Sequence, residues 1–433
     1  MSTRRGFLGL AGAGAALLAA GTGTASASRV QTKAKIVILG GGAAGTTLAN
    51  RLTERLDGAE ITVIDGRAQH WYQPGFTLIA AGLKPAGYSI SQTTDWLPSG
   101  VRLVAEYAAE IDPEAQSVTT VSGTRLDYDF LVTCPGLVLD WDAIEGFSLD
   151  MVGKNGIGAV YAGPDYAEAT WREMDRFTST GGKAVFSRPG TEMKCAGAPL
   201  KYAFLTEDYA SKKGNRGKIE IEYWNNSKAL FGVPIVAEKV RMLFGERGIR
   251  TQMDRVLKSV DADRKLLTFT DPDGTEHETD FDFTNIIPPQ RAPEVIRQSG
   301  LSWADRWVDQ GWVEVDPVTL RHNRYRNVFA VGDVAGVPKG KTAASVKWQV
   351  PVVEAHLVAD IAGTTSDEAY DGYTSCPLIT RVGSAMLIEF DYHNNLVPSF
   401  PGVIAPLEEL WISWLMKEVA LKPTYNAMLR GKA

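Results

Sequence analysis

Few residues in this chain have chemistry to offer, and the cysteines come first. There are three, Cys134, Cys195 and Cys376. Cys195 stands in Lys-Cys-Ala-Gly-Ala-Pro-Leu-Lys (194–201), and Cys376 in Tyr-Asp-Gly-Tyr-Thr-Ser-Cys-Pro-Leu (370–378), 181 residues later. Small residues or proline follow both, which places them in loops rather than mid-strand, with Cys195 at the start of a helix. A cysteine attacks as its thiolate, and a helix N-terminus or a nearby lysine favours that form. Lys194 and Lys201 flank Cys195. Two such thiols brought together can cycle between disulfide and dithiolate, or carry an extra sulfur. Each can equally be a small buried hydrophobe, and Cys134, at the end of an apolar run, is read that way. Three cysteines are too few for a disulfide scaffold, and no Cys-x-x-Cys pair offers a zinc site.

The second chemical signature is glycine-rich. Residues 35–65 read KIVILGGGAAGTTLANRLTERLDGAEITVID. Lys35–Leu39 is an aliphatic strand. Gly40, Gly42 and Gly45 give G-x-G-x-x-G, with Ala44 inside the turn. Leu48, Leu52 and Leu56 follow at helical spacing, and a second strand, 61–64, ends at Asp65. Strand, turn, helix, strand and acid together predict a dinucleotide site. Gly40 permits the tight turn, Gly42 lets backbone approach a diphosphate, and Gly45 lets helix pack on strand. The helix N-terminus supplies unpaired N–H groups and partial positive charge. Asp65 is placed to accept from a ribose hydroxyl.

Later stretches identify the dinucleotide. LDYDFLVTCPG (126–136) and NVFAVGD (327–333) each read as an apolar strand ending in a turn, at Gly136 and at Gly332-Asp333. They resemble two signatures of flavoproteins with two dinucleotide-binding domains, which implies FAD. A second α/β unit, with strands at 183–187 and 218–223, leads instead into Arg188-Pro-Gly-Thr-Glu-Met-Lys-Cys-Ala-Gly-Ala-Pro199. That loop lacks the glycine spacing, so NAD(P)H is not expected as electron donor.

A chain of 433 residues has room for two or three domains. Its 44% hydrophobic and 22% charged content excludes a disordered chain, a collagen and a multi-span membrane protein. A net charge of −6 without basic runs argues against nucleic acid as partner. The expected class is α/β with two Rossmann-like domains. The FAD-binding domain is discontinuous, 34–150 and 290–365. The second domain, 151–289, lacks a nucleotide loop. A C-terminal region, 366–433, carries Cys376.

With these residues in place, the chain from about 34 onward resembles sulfide:quinone oxidoreductases of the type found in mitochondria and some bacteria. The resemblance is carried by WYQPGFTLIAAG (71–82), KCAGAPLK (194–201), IIPPQRAPEVI (286–296), VGDVAGVPKGKTAA (331–344) and YDGYTSCPLITRVGSAMLIEFDY (370–392). It implies that Cys195 and Cys376 form the redox disulfide. Sulfide opens it, Cys376 holds the persulfide and Cys195 faces the flavin. A sulfur acceptor then removes the sulfane sulfur, and electrons pass through FAD to a membrane quinone. It also implies FAD contacts from Gln73, the Ala108 backbone at the adenine, Asp333, Lys341, Thr342 and Ala343. The flavoprotein subunit of a flavocytochrome c sulfide dehydrogenase, which reduces a cytochrome c, is an alternative. So is a non-catalytic FAD-binding sulfur carrier or redox sensor.

The two ends of the chain add an address and a surface. Arg4-Arg5, a short apolar stretch and Ala25-Ser-Ala27 read as a twin-arginine export signal over 1–27, which predicts a protein on the periplasmic side. Leu407, Leu410, Trp411, Trp414, Leu415 and Val419 fall at helical spacing, which predicts an amphipathic helix over 407–430 suited to a membrane interface.

Overall fold

A computed structural model describes residues 29–433; the export signal read over 1–27 lies outside them. The apolar strands form two parallel five-stranded sheets. In the first the order is Val328–Ala330, Phe130–Thr133, Lys35–Leu39, Glu60–Ile64, Arg102–Val104. In the second it is Ile157–Gly158, Phe283–Asn285, Gly182–Ser187, Ile219–Trp224, Ile249–Gln252. Helices cover both, as parallel strands require. Each sheet is accompanied by a three-stranded antiparallel one, Ala108–Asp112 with Ser117–Thr120 and Arg125–Asp127, and Val256–Asp261 with Leu266–Thr270 and Glu276–Asp280. The two halves thus repeat one topology, and the chain crosses between them more than once.

The first sheet buries Ile36, Ile38, Leu131, Val132, Val328 and Phe329 completely. Its crossover helix Ala43–Arg55 packs with the long helix Ala343–Ala362 on one side of it. The second sheet shares a core with the helix Ala198–Lys212 and with the hairpin Thr374–Arg381/Ser384–Phe390. That hairpin brings Cys376 under the second half.

Two expectations need correction. Cys376 lies within a strand, opposite Ile388, rather than in a loop. Pro377 is tolerated there because the two-stranded hairpin leaves one edge unpaired. The C-terminal helix begins at Trp411, not at 407. It runs Trp411–Leu415, one π-helical turn Met416–Ala420, then Leu421–Leu429. The π turn inserts a residue and rotates everything beyond it. Ser413, Trp414 and Lys417 form the buried face, while Trp411 and Val419 are 56% and 57% exposed. Among the described residues no helix is long and apolar enough to cross a membrane.

Candidate active site

The glycine turn is built as its spacing requires. Gly40 has φ +108, and a Cβ there would lie 2.4 Å from the Cys134 carbonyl oxygen. A Cβ on Gly45 would fall 1.9 Å from the Gly40 carbonyl oxygen, so helix and strand touch backbone to backbone. Gly42 is the helix N-cap and carries no side-chain cap; a Cβ there would meet only the Arg67 guanidinium, at 3.8 Å. The first turn therefore presents its N–H groups to open space, as a diphosphate site requires. Asp65 accepts from the Gly41 N–H at 2.7 Å and the Arg67 N–H at 2.8 Å, which fixes its carboxylate beside the turn. The Tyr107 ring packs against Gly66, the residue after Asp65, and the strand Ala108–Asp112 starts directly after Tyr107. Ala44 is buried, 3.7 Å from where a Gly332 Cβ would be, and Gly332 (φ +78) donates its N–H to Gln349. Gly136, φ +76, has open space beyond its Cα. The glycine turn, Asp65, Ala44 and Gly332 adjoin one another as a cradle, and its open helix end suits the diphosphate and ribose of FAD.

The other end of this cradle meets the cysteines. The Cys195 N–H donates to the Lys341 carbonyl at 2.9 Å. Thr342 caps the helix Ala343–Ala362 by accepting from the Ser345 N–H, and its hydroxyl lies 2.9 Å from that of Thr374, two residues before Cys376. The Lys341 ammonium donates to the Asp333 and Ala335 carbonyls and sits 3.7 Å from the centre of the Trp312 ring. Burial pushes Lys341 down to about 8, opposed by Asp333. Burial also raises the Asp333 carboxyl, against the pull of Lys194 and Lys341. Gln73 opens the turn Gln73–Gly75, whose Pro74 carbonyl accepts from Lys417.

Cys195 and Cys376 face each other as free thiols, and they hydrogen-bond. Cys195 adopts φ +49, a left-handed conformation that costs a non-glycine residue energy and marks a held geometry. The Tyr161 hydroxyl donates to the carbonyls of Lys194 and Cys195 and holds the loop. Gly197 follows; a Cβ on it would lie 2.4 Å from the Cys376 sulfur, so the close approach depends on glycine. The hydrogen bond from Cys376 holds the Cys195 thiol well below its usual range, against burial and with help from Lys201, Lys417 and Lys194. Cys376 is pushed up by the same bond and by burial. The two directions favour the thiolate at Cys195 and the protonated thiol at Cys376. The Lys201 ammonium donates to the Cys195 sulfur at 3.9 Å. Cys134 lies apart under the glycine turn; burial pushes its thiol up, which fits the structural role expected of it.

Three residues of this site were missed in the sequence: Lys417, Gly197 and Tyr161. Lys417 reaches in from the π-helical turn, is 3% exposed, and donates to the Pro74 carbonyl at 2.6 Å. The apolar positions in the sequence centre on Trp411 and Leu415, whereas the face that packs inward is Ser413, Trp414 and Lys417, at ordinary helical spacing. Gly197 could have been flagged as a glycine two residues after a reactive cysteine; Tyr161 left no signal. Among the described residues no cluster suits a metal ion.

Known proteins resemble this chain over nearly its whole length. Residues 34–157 match the model of the pyridine nucleotide-disulphide oxidoreductase family. The mitochondrial sulfide:quinone oxidoreductase of Mus musculus is 34% identical over 92% of this chain and 86% of its own. That of Dictyostelium discoideum is 32% identical over 93% and 88%. The X-ray structure of sulfide:quinone oxidoreductase from the hyperthermophilic bacterium Aquifex aeolicus shares the fold, with a TM-score of 0.76 at 24% identity, covering 92% of each chain. With this fold, this cradle and these relatives, the chain belongs to the sulfide:quinone oxidoreductase family and is an FAD-dependent oxidoreductase.

Proposed function

We propose that this protein oxidises sulfide at the Cys195–Cys376 pair and passes the electrons through FAD to a quinone. The observation that supports this most is the close placement of Cys195 and Cys376 across Gly197, with the Lys201 ammonium 3.9 Å from the Cys195 sulfur. In the oxidised pair, hydrosulfide attacks the Cys376 sulfur. The S–S bond breaks, Cys376 becomes a persulfide and Cys195 leaves as the thiolate. The lysines around Cys195 stabilise that leaving group. A sulfur acceptor then attacks the outer sulfur of Cys376 and leaves it as a second thiolate. Reclosing the disulfide releases two electrons. FAD, when bound, accepts that pair and delivers it onward. Asp65, Ala108, Gly40, Gly42, Ala44 and Gly45 would hold its adenosine diphosphate end. Gly136, Gly332, Asp333, Gln73, Lys341, Thr342 and Ala343 would hold the end nearer the cysteines.

Peripheral attachment to a membrane belongs to the same reading. Trp411 and Val419 project from the C-terminal helix, and Phe400 and Val403 are exposed beside it in sequence. The twin-arginine pattern of residues 1–27 supports export.

The test is an anaerobic absorbance titration of the purified protein with sulfide, then with decylubiquinone. Flavin bleaching reversed by the quinone is the expected result. Cys195→Ser and Cys376→Ser should each retain FAD and lose turnover. Reoxidation by a cytochrome c alone would favour the flavocytochrome alternative, and a flavin untouched by sulfide would overturn the cysteine mechanism.

A further inference from the structure

Two lysines share the pocket of the cysteine pair, and their charge balance changes when the pair is oxidised. Lys201 and Lys417 are 2% and 3% exposed. Among the described residues neither has a carboxylate partner. The helix Ala198–Lys212 contributes Lys201, the 188–197 loop Cys195, the strand Thr374–Arg381 Cys376, and the turn Gln73–Gly75 only the Pro74 carbonyl. Glu418, next to Lys417, pairs with Lys84 at 3.4 Å. Glu389, on the neighbouring strand Ser384–Phe390, is engaged by Tyr373 and Ser399. Lys422, on the next helical turn, donates to the Tyr88 carbonyl. The anion that remains to these two ammonium groups is the cysteine thiolate.

Forming the disulfide removes that anion. Two buried ammonium groups would then face each other uncompensated, which a protein interior resolves by releasing a proton. Lys201 touches Cys195 directly and is raised by both cysteines, although burial opposes this. Lys417 is held only by a neutral carbonyl. Resting on the reading of Cys195 and Cys376 as a redox couple, we propose that Lys417 is the proton partner of that couple, charged when the pair is reduced and neutral when it is a disulfide. Reduction of the pair then takes up two electrons and two protons. One proton makes the Cys376 thiol, the other makes the Lys417 ammonium, and Cys195 remains a thiolate. With the pair reduced, burial and Lys201 already push Lys417 down to about 7, against the pull of both cysteines; losing their charge lowers it further. The second proton therefore belongs to the range below about pH 7.

The FAD-loaded protein would be equilibrated in dithiothreitol redox buffers from about pH 5.5 to 8.5, trapped with maleimide, and Cys195 and Cys376 counted by peptide mass. Each proton coupled to the two-electron reaction changes its equilibrium constant tenfold per pH unit, or about 30 mV. Referred to the hydrogen scale, because dithiothreitol itself gives up two protons when oxidised, the wild type should show two such steps per pH unit below about pH 7 and one above. Lys417→Met relieves Lys201 of its like-charged neighbour and should show one step throughout. Lys417→Arg, which keeps its charge, should also show one step, with the reduced pair favoured about tenfold or more over the Met variant. FAD content checks that both variants fold. Equal slopes in wild type and Lys417→Met would overturn the proposal while leaving the couple intact. If the two cysteines exchange with no redox buffer, the couple itself falls, and the proposal with it.

Discussion

Gly197→Ala tests whether the approach of the two sulfurs controls the chemistry. The backbone at Gly197 has φ −86 and ψ −7, which alanine adopts without strain. The added methyl would nevertheless sit 2.4 Å from the Cys376 sulfur and 3.3 Å from the Phe231 ring. Ordinary contact begins at 3.4 Å, so the sulfur must retreat by about 1 Å. Overpacking of this kind costs about 1–3 kcal/mol of stability, which a core of this size absorbs. The functional cost is larger. The hydrogen bond from Cys376 is the chief cause of the low Cys195 pKa, and it does not survive such a displacement. Cys195 should then titrate closer to an ordinary buried thiol, and a misplacement of this size at reacting atoms costs about 100-fold in rate. Stopped-flow bleaching of the flavin by sulfide measures the rate, and ultraviolet thiolate absorbance against pH measures the Cys195 titration. Gly217→Ala is the control, because its Cβ meets nothing within 4 Å. A Gly197→Ala protein with normal FAD content, normal rate and an unmoved Cys195 titration would refute the reasoning.

Three further outcomes follow from the same geometry. Lys201→Met removes the cation nearest the Cys195 sulfur, so the pH midpoint for iodoacetamide alkylation of reduced Cys195 should rise; an unchanged midpoint would mean that Lys201 is only packing. His70 and His322 are buried, and burial pushes each from its ordinary 6.5 to about 4. Below pH 6.5 the unfolded chain takes protons that the folded chain refuses, so stability present above that pH is lost as pH falls toward 4, by up to about 3 kcal/mol for each histidine. Urea midpoints across that range should fall, and His70→Gln should flatten the fall by about half; an identical pH profile would show that His70 is not a source. Gly45→Ala places a methyl against the Gly40 carbonyl oxygen and should lose bound FAD, as flavin absorbance per chain will show.

The sequence made the first half of the site legible because backbone geometry there dictates residue type. Gly40 and Gly45 can be only glycine, and Asp65 must stand at the end of its strand, so spacing alone located the cradle. Lys341, Thr342 and Ala343 came only from the resemblance, and Thr342 is the cap of the helix Ala343–Ala362. Cys376 was misplaced because a Ser-Cys-Pro sequence reads as a loop, while a two-stranded hairpin accepts proline on its free edge. Lys417 was invisible for a different reason. The face that packs inward is Ser413, Trp414 and Lys417, and the serine and lysine on it hide it from a hydrophobic pattern that centres on Trp411 and Leu415. A long-range contact such as Lys417 to Pro74 spans 343 residues and has no local signal.

The repeated topology explains why a reactive cysteine occurs where it does. In the first half, the strand Lys35–Leu39 runs through a glycine turn into the helix Ala43–Arg55, whose open N-terminus faces the cradle. In the second half, the strand Gly182–Ser187 runs through the 188–197 loop into the helix Ala198–Lys212. The corresponding turn has lost its glycine pattern and carries Cys195 instead. The Ala198 N–H, first in that helix, donates to the Cys195 carbonyl at 2.8 Å, which seats the cysteine on the helix N-terminus. The partial positive charge that holds a diphosphate in one half can therefore stabilise a thiolate in the other. Both are anions, and both need a helix end with no side-chain cap, which Gly42 and Gly197 each provide. The second half thus offers an anion site of the same design without a nucleotide turn, and the hairpin bearing Cys376 and the π turn bearing Lys417 close over it.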